Sequence, residues 1–258
     1  MAVSLNGCVR VFCEKSNGRR YRMVIHGLQK LTLLDYPGRV ACTLFADGCN
    51  FACPFCHNAS LVYHPGQPVR GSAPVVSEGE VFAFLEKRRR VLDGVCISGG
   101  EPLIQTGLAP FLARIKALGY SVKLDTNGCL PERLRAVVDA GLVDAVAMDI
   151  KNTPERYAET IGRAQFDMAP ILESIAFLKT LHGRYEFRTT VVQEFHTLAD
   201  IEAIARWLSD AERYFIQSFA DSGDILTPGL HAHPPDVLHA MLAAARVFCP
   251  AAQLRGIS

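Results

Sequence analysis

The chain reads as an α/β protein on a parallel sheet, and three observations predict it. From residue 40 onward, apolar strand-like runs alternate with helix-like runs, a β/α repeat with about six strands. The polar motifs lie at or just beyond the C-terminal ends of the strand-like runs, the end where β/α barrels carry their sites. With 258 residues, 49% of them apolar, the chain can bury one sizeable core. The alternation alone does not exclude a doubly wound open sheet in place of a barrel.

Taken in order, Val40–Ala46 is predicted as a strand, a short apolar run of the length strands use. Ser77–Arg90 follows as a helix whose end, Lys87 to Arg90, sets cations against the negative end of the helix dipole. That basic cluster reads as a solvated helix end and not as a contact for acidic partners. The alternation then continues through Gly94–Ser98 (strand), Gly107–Leu118 (helix), Ser121–Thr126 (strand), Pro131–Ala140 (helix) and Val143–Ile150 (strand). Met168–Leu181 (helix), Tyr185–Gln193 (strand), Thr197–Ser209 (helix) and Tyr214–Ser218 (strand) complete it. Beyond Thr227 the chain is marked by Pro228, Pro234 and Pro235, and Asp236–Phe248 reads as a last helix.

Just past the first strand, Cys49, Cys53 and Cys56 form a C-x3-C-x2-C run. Three clustered thiolates supply all but one ligand of a cubane iron–sulfur cluster, and an iron without a protein ligand can bind a small molecule. A structural zinc site is the rival reading, but it wants four ligands, His57 sits too close to Cys56 to complete a tetrahedron easily, and no second pair follows. Disulfides fit less well, because nine cysteines is an odd number and no secretory signal precedes them. Cys42, Cys96 and Cys129 read as buried, inert thiols, and Cys8, Cys13 and Cys249 have no ligand-like spacing.

A second motif, Gly99-Gly100-Glu101, sits between a strand-like run and a helix. The glycine pair lets a ligand approach the backbone, and the carboxylate can accept hydrogen bonds from an ammonium group. A strand-to-helix turn also uses glycines for turn geometry alone, so the motif gains meaning from the cysteines upstream. The Asp125-Thr-Asn-Gly128 turn can point polar groups into a barrel mouth or be a simple Asx turn. Arg188 lies inside its strand, and an inward arginine must meet an anion or carry a large desolvation penalty.

With these motifs the chain resembles the radical S-adenosylmethionine (SAM) superfamily, which shares the cysteine triplet and the Gly-Gly-Glu motif. Leu31–Arg39 (LTLLDYPGR), Cys56–Asn58, Leu124–Gly128, Ala147–Lys151 and Phe187–Val191 further resemble the glycyl-radical-enzyme activases, above all the anaerobic ribonucleoside-triphosphate reductase activating proteins. The resemblance spans roughly Ile25 to Phe219 and sharpens the fold to a partial (β/α)6 TIM-type barrel, open on one side. It divides the chain into an N-terminal extension (1–24), the barrel (25–220) and a C-terminal segment (221–258) with a helix packing on the barrel. The Pro- and Gly-rich Leu61–Val76 loop is too short for an inserted two-cluster domain and is expected to cover the site.

The resemblance implies a [4Fe-4S] cluster on Cys49, Cys53 and Cys56, with SAM chelating the open iron. It implies that Glu101 holds the SAM amine with the Gly99–Gly100 backbone around it. Phe55 and His57 are implied near the adenine, Phe55 being almost as readily a packing residue. Asp125, Thr126 and Asp149 are implied beside the SAM carboxylate, sharing a monovalent cation with it, and Asn127, Lys151 and Arg188 among the SAM contacts. One electron from reduced flavodoxin or ferredoxin would cleave SAM to a 5′-deoxyadenosyl radical, which removes a hydrogen atom from a glycine of the partner, a glycyl-radical enzyme.

Composition agrees with a cytoplasmic enzyme. A net charge of +1 argues against an electrostatically driven nucleic-acid binder. No apolar run reaches the ~18 to 20 residues of a membrane span. Two other readings stand beside the activase: a radical SAM enzyme acting on another glycyl-radical enzyme or on a small molecule, peptide or RNA, and a non-catalytic iron–sulfur sensor. The sensor needs the cysteines alone, so the Gly99–Glu101 and Asp149–Lys151 motifs count against it.

Overall fold

A computed structural model describes residues 22–62 and 75–256. Residues 1–21 and 63–74, which hold most of the N-terminal extension and of the Leu61–Val76 loop, lie outside them. The expected β/α alternation is present as strands β2 (Ala41–Ala46), β3 (Gly94–Gly99), β4 (Ser121–Thr126), β5 (Ala145–Asp149), β6 (Tyr185–Val191) and β7 (Tyr214–Ser218). Helices α1 (Glu78–Arg88), α2 (Leu108–Ala117), α3 (Pro131–Asp139), α5 (Ala169–Lys179) and α6 (Leu198–Trp207) fall between them, with a short α4 (Tyr157–Thr160) after β5. Ser77 starts α1 with a reciprocal capping box to Glu80, and Thr197 starts α6 with the same device on Asp200.

Two further strands flank the six. β1 (Ile25–Thr32) pairs antiparallel with β2, and β8 (Ala252–Arg255) pairs parallel with β7, so one sheet runs β1 to β8 in sequence order. The sheet therefore continues beyond residue 220, and α7 (Pro235–Phe248) delivers the chain to its last strand. Polar Gln29 and Lys30 and two register shifts hide β1 from a periodicity search, and β8 has only four residues. β1 and β8 are the two edges of the sheet, which is thus an open barrel.

The two faces of the sheet have different chemistry. Leu44, Ile97, Leu124, Val146 and Phe187 are buried in the apolar layer together with Leu85, Leu112 and Ile175 of the helices. On the inner face, Thr43, Cys96 and Lys123 stand in register on β2, β3 and β4, and Asp149 stands beside Arg188 on β5 and β6. The Leu31–Arg39 segment closes the end of the sheet opposite the cysteines. There Tyr36 is buried against Gly94, where an added Cβ would fall 2.8 Å from its ring, and Asp35 accepts from Thr43 Oγ1. Among the described residues no helix is long and apolar enough to cross a membrane.

Candidate active site

The strand ends assemble the site. β2 delivers the chain through Gly48 (φ 75°) into the cysteine loop, and β3 delivers it into Gly99 (φ 107°) and Gly100. These two turns are fastened together: Gly100 N–H donates to Ala46 O at 2.9 Å and Glu101 N–H to Gly48 O at 2.8 Å. A Cβ on Gly100 would fall 1.8 Å from Gly48 O, so only glycine lets the two backbones meet. Two other regions hold the same loop. Ala52 N–H donates to Ile161 O after α4, Thr227 N–H donates to Pro54 O before α7, and Arg163 donates to Asn50 O.

Cys49, Cys53 and Cys56 line one cavity, together with Gly99 and Gly100. Cys56 N–H donates to Cys53 O, and the amide of Phe51 points at Cys49 Sγ at 3.4 Å. All three are free thiols. Burial pushes Cys49 up to about 12 and Cys53 up to about 11, the nearby Lys151 charge pulling Cys53 partly back, and burial also raises Cys56. Thiolates in such a place require cationic iron or another positive partner. No three His, Cys, Asp or Glu side chains among the described residues close around a point fit for a single metal ion. Three thiols opening on one cavity fit a cubane, which takes three protein thiolates, while a structural zinc site wants four ligands.

The far wall of the cavity is charged. Arg188 Nε donates to Asp149 Oδ1 at 2.8 Å and its Nη1 to Asp125 Oδ2 at 3.2 Å. Lys151 Nζ lies 2.9 Å from Asp149 Oδ2, and Lys123 Nζ, almost wholly buried, lies 2.6 Å from Asp125 Oδ1. The inward arginine thus meets two anions. Burial pulls the Asp149 carboxyl upward, but Arg188 and Lys151 outweigh it and hold the group well below the usual carboxylate range. For Lys151 burial acts downward and Asp149 outweighs it, so the ammonium stays charged.

Glu101 is buried directly after the Gly99–Gly100 turn. Only 1% exposed, its carboxylate accepts from Asn127 N at 2.7 Å, Thr126 Oγ1 at 2.9 Å and Leu103 N at 3.1 Å, tying β3 to β4. Burial pushes its carboxyl up to about 7. Asn127 turns its amide toward Asn50 Oδ1 (2.8 Å) on the cysteine loop. Phe55 packs against Phe195 and His196, and His57 stacks on Phe219 at 5.4 Å, with burial lowering its imidazole. Apart from Glu101, every candidate residue lines the cavity.

Lys123 and His196 escape a reading of the sequence. Lys123 sits in an alternating strand where a lysine usually faces water. His196 follows β6 with no motif around it, yet its ring receives Val192 N–H on Nδ1 at 3.2 Å and meets Lys151 O with Nε2 at 2.8 Å. A signal for Lys123 exists in hindsight: it precedes Asp125 by two, the spacing of one strand face.

Comparison with known proteins agrees with this arrangement. The Radical SAM superfamily profile matches residues 43–208. A protein provisionally named a glycyl-radical enzyme activating enzyme in Methanocaldococcus jannaschii is 32% identical over 202 residues, covering 77% of this chain and 80% of that one. The pyruvate formate-lyase-activating enzyme of Listeria monocytogenes is 29% identical over 168 residues, covering 60% of this chain and 63% of its own. Among solved structures, Streptococcus suis SuiB bound to S-adenosylmethionine superposes with a TM-score of 0.60 at 13% identity, covering 81% of this chain and 48% of that one. The fold, the thiol-lined cavity and the profile match over most of the sheet have one conclusion: the chain belongs to the radical SAM superfamily, whose members use a [4Fe-4S] cluster and SAM.

Proposed function

We propose that this enzyme generates a glycyl radical on a partner protein, the anaerobic ribonucleoside-triphosphate reductase, with reduced flavodoxin or ferredoxin as electron donor. The observation that carries the reading is the long likeness to a protein named as a glycyl-radical enzyme activating enzyme, which covers most of both chains. When bound, the cluster and SAM supply a one-electron cleavage that yields a 5′-deoxyadenosyl radical.

The protein's part is to hold and exclude. Cys49, Cys53 and Cys56 ligate the cluster. The Gly99–Gly100 backbone, Lys151 and Arg188 bind the amino-acid end of SAM, with Asp125, Asp149 and Asn127 orienting them. Phe55 and His57 border the adenine. Glu101, steadied by Thr126 and Asn127, holds the SAM amine. A glycine of the partner suits this site because a backbone without a side chain can enter a narrow barrel mouth, and the open edge between β1 and β8 leaves a way in.

The test is an electron paramagnetic resonance spectrum of the anaerobically reconstituted protein, reduced and mixed with SAM and the reductase. A persistent glycyl-radical doublet, absent with Cys53→Ala, is expected. SAM cleavage without the doublet would leave the superfamily chemistry standing and remove the partner.

A further inference from the structure

The residues that the resemblance assigns to a monovalent cation do not fit one in this chain. Such an ion is drawn to carboxylate oxygens whose negative charge no side-chain cation already neutralises. Here all four oxygens of Asp125 and Asp149 already face a side-chain cation: Lys123 and Arg188 on Asp125, Arg188 and Lys151 on Asp149. Thr126 Oγ1 is turned the other way, donating to Glu101 and accepting from Gly128 N–H at 3.1 Å.

The charge balance points the same way. Lys123 also lies 3.7 Å from Glu186, which Arg255 pairs at 2.9 Å, so the inner face carries four cations against three carboxylates in one connected chain. Taken by itself this chain of ion pairs carries a single positive surplus, which the sulfur of Cys53 faces beside Lys151. A further cation would have to settle beside Lys123 and Arg188, where Lys123 is 3% exposed and like charges are poorly screened.

We propose that Lys123 and Arg188 serve as built-in cations between Asp125 and Asp149, so that the SAM site of this chain works without a bound monovalent ion. Lys123 is then a positioning residue: it holds Asp125, which holds Arg188, which presents its guanidinium to the cavity. The inference rests on the reading of this wall as the SAM site.

The experiment compares NaCl, KCl and choline chloride at equal ionic strength. Melting of the cluster-free protein and SAM affinity of the reconstituted protein by equilibrium dialysis are both measured. For the wild type, neither the melting temperature nor the affinity is expected to depend on which of the three cations is present. Lys123→Met is expected to weaken SAM binding on the order of tenfold in choline, with the loss reversed by Na+ or K+ and avoided in Lys123→Arg. A saturable requirement of the wild type for Na+ or K+ would overturn the inference, as would a Lys123→Met loss that neither ion reverses. If Lys123→Met does not fold, the wild-type salt series decides alone. Absence of SAM binding in every salt would instead count against the SAM-site reading.

Discussion

His196 shows how a residue away from the chemistry sets conditions for it. Its ring nitrogen beside Lys151 O must donate and the one beside Val192 N–H must accept, so the buried ring is a neutral imidazole. Burial lowers it to about 4. The unfolded chain therefore binds the extra proton between about pH 4 and 6.5, and the stability from His196 is full above that window and lost as pH falls through it. Glu101, raised to about 7, acts with the opposite sign, since the folded chain holds its proton between roughly pH 4.5 and 7. The two slopes overlap, so a difference is the useful quantity. Relative to His196→Gln, the wild type is expected to lose on the order of 3 kcal/mol between pH 7 and pH 4, read from urea midpoints. A constant gap across that range would mean that the ring is not held neutral. At this scale the three cysteines were legible because ligand spacing survives in sequence. Glu101 was legible as a position, while its bonds to the β4 turn were not, because Thr126 and Asn127 N–H are brought to it by strand pairing.

At the scale of elements, the Gly99-Gly100 turn and the cysteine loop act as one unit. The glycine pair was read as room for a ligand; its first service is to let Gly48 O approach the backbone. Gly100→Ala is expected to cost about 2 kcal/mol or more, roughly 5 °C in melting temperature, and to lower iron bound per chain after reconstitution. Gly79→Ala is the matched control, lying in α1 with only Ser77 Oγ near its added Cβ, at 3.8 Å. Equal iron content in the two variants would separate the turn from the loop. The six alternating strands were legible because each is a short apolar run. β1 and β8 were not, because an edge strand buries less and need not alternate cleanly. Leu31–Arg39 carried much of the family resemblance, yet it closes the end of the sheet opposite the cysteines, where Tyr36 and Asp35 meet Gly94 and Thr43.

For the whole molecule, the apolar layer and the site occupy different faces of one sheet. The core that holds α1 to α7 against the strands takes in Cys53 and Phe55 of the site, with Cys49 and Cys56 packed against it, and is otherwise made of side chains that the chemistry does not need. Removal of the cluster, or its loss in a Cys49/Cys53/Cys56→Ala variant, is accordingly expected to leave the far-UV circular dichroism unchanged while the visible iron–sulfur absorbance disappears. Collapse of the helical signal on chelation would show that the cluster is part of the fold. The open-barrel architecture was readable from strand order and motif position together. The polar filling of its inner face was not, because lysine and glutamate in an alternating strand look the same whether they face water or a closed interior.

The loop that bears the three thiols is tied at three places by the protein's own backbone, to the glycine turn, to Ile161 and to Thr227. None of these ties passes through a cysteine sulfur. Exposure to air that destroys an iron–sulfur cluster would leave behind a prepared scaffold, damaged only so far as the thiols themselves are oxidised, and sulfenic acid or disulfide at that stage is still reversible. Inactivation and recovery then become a matter of sulfur oxidation state rather than of refolding, and a thiol reductant with iron and sulfide is expected to return the visible iron–sulfur absorbance of air-exposed protein.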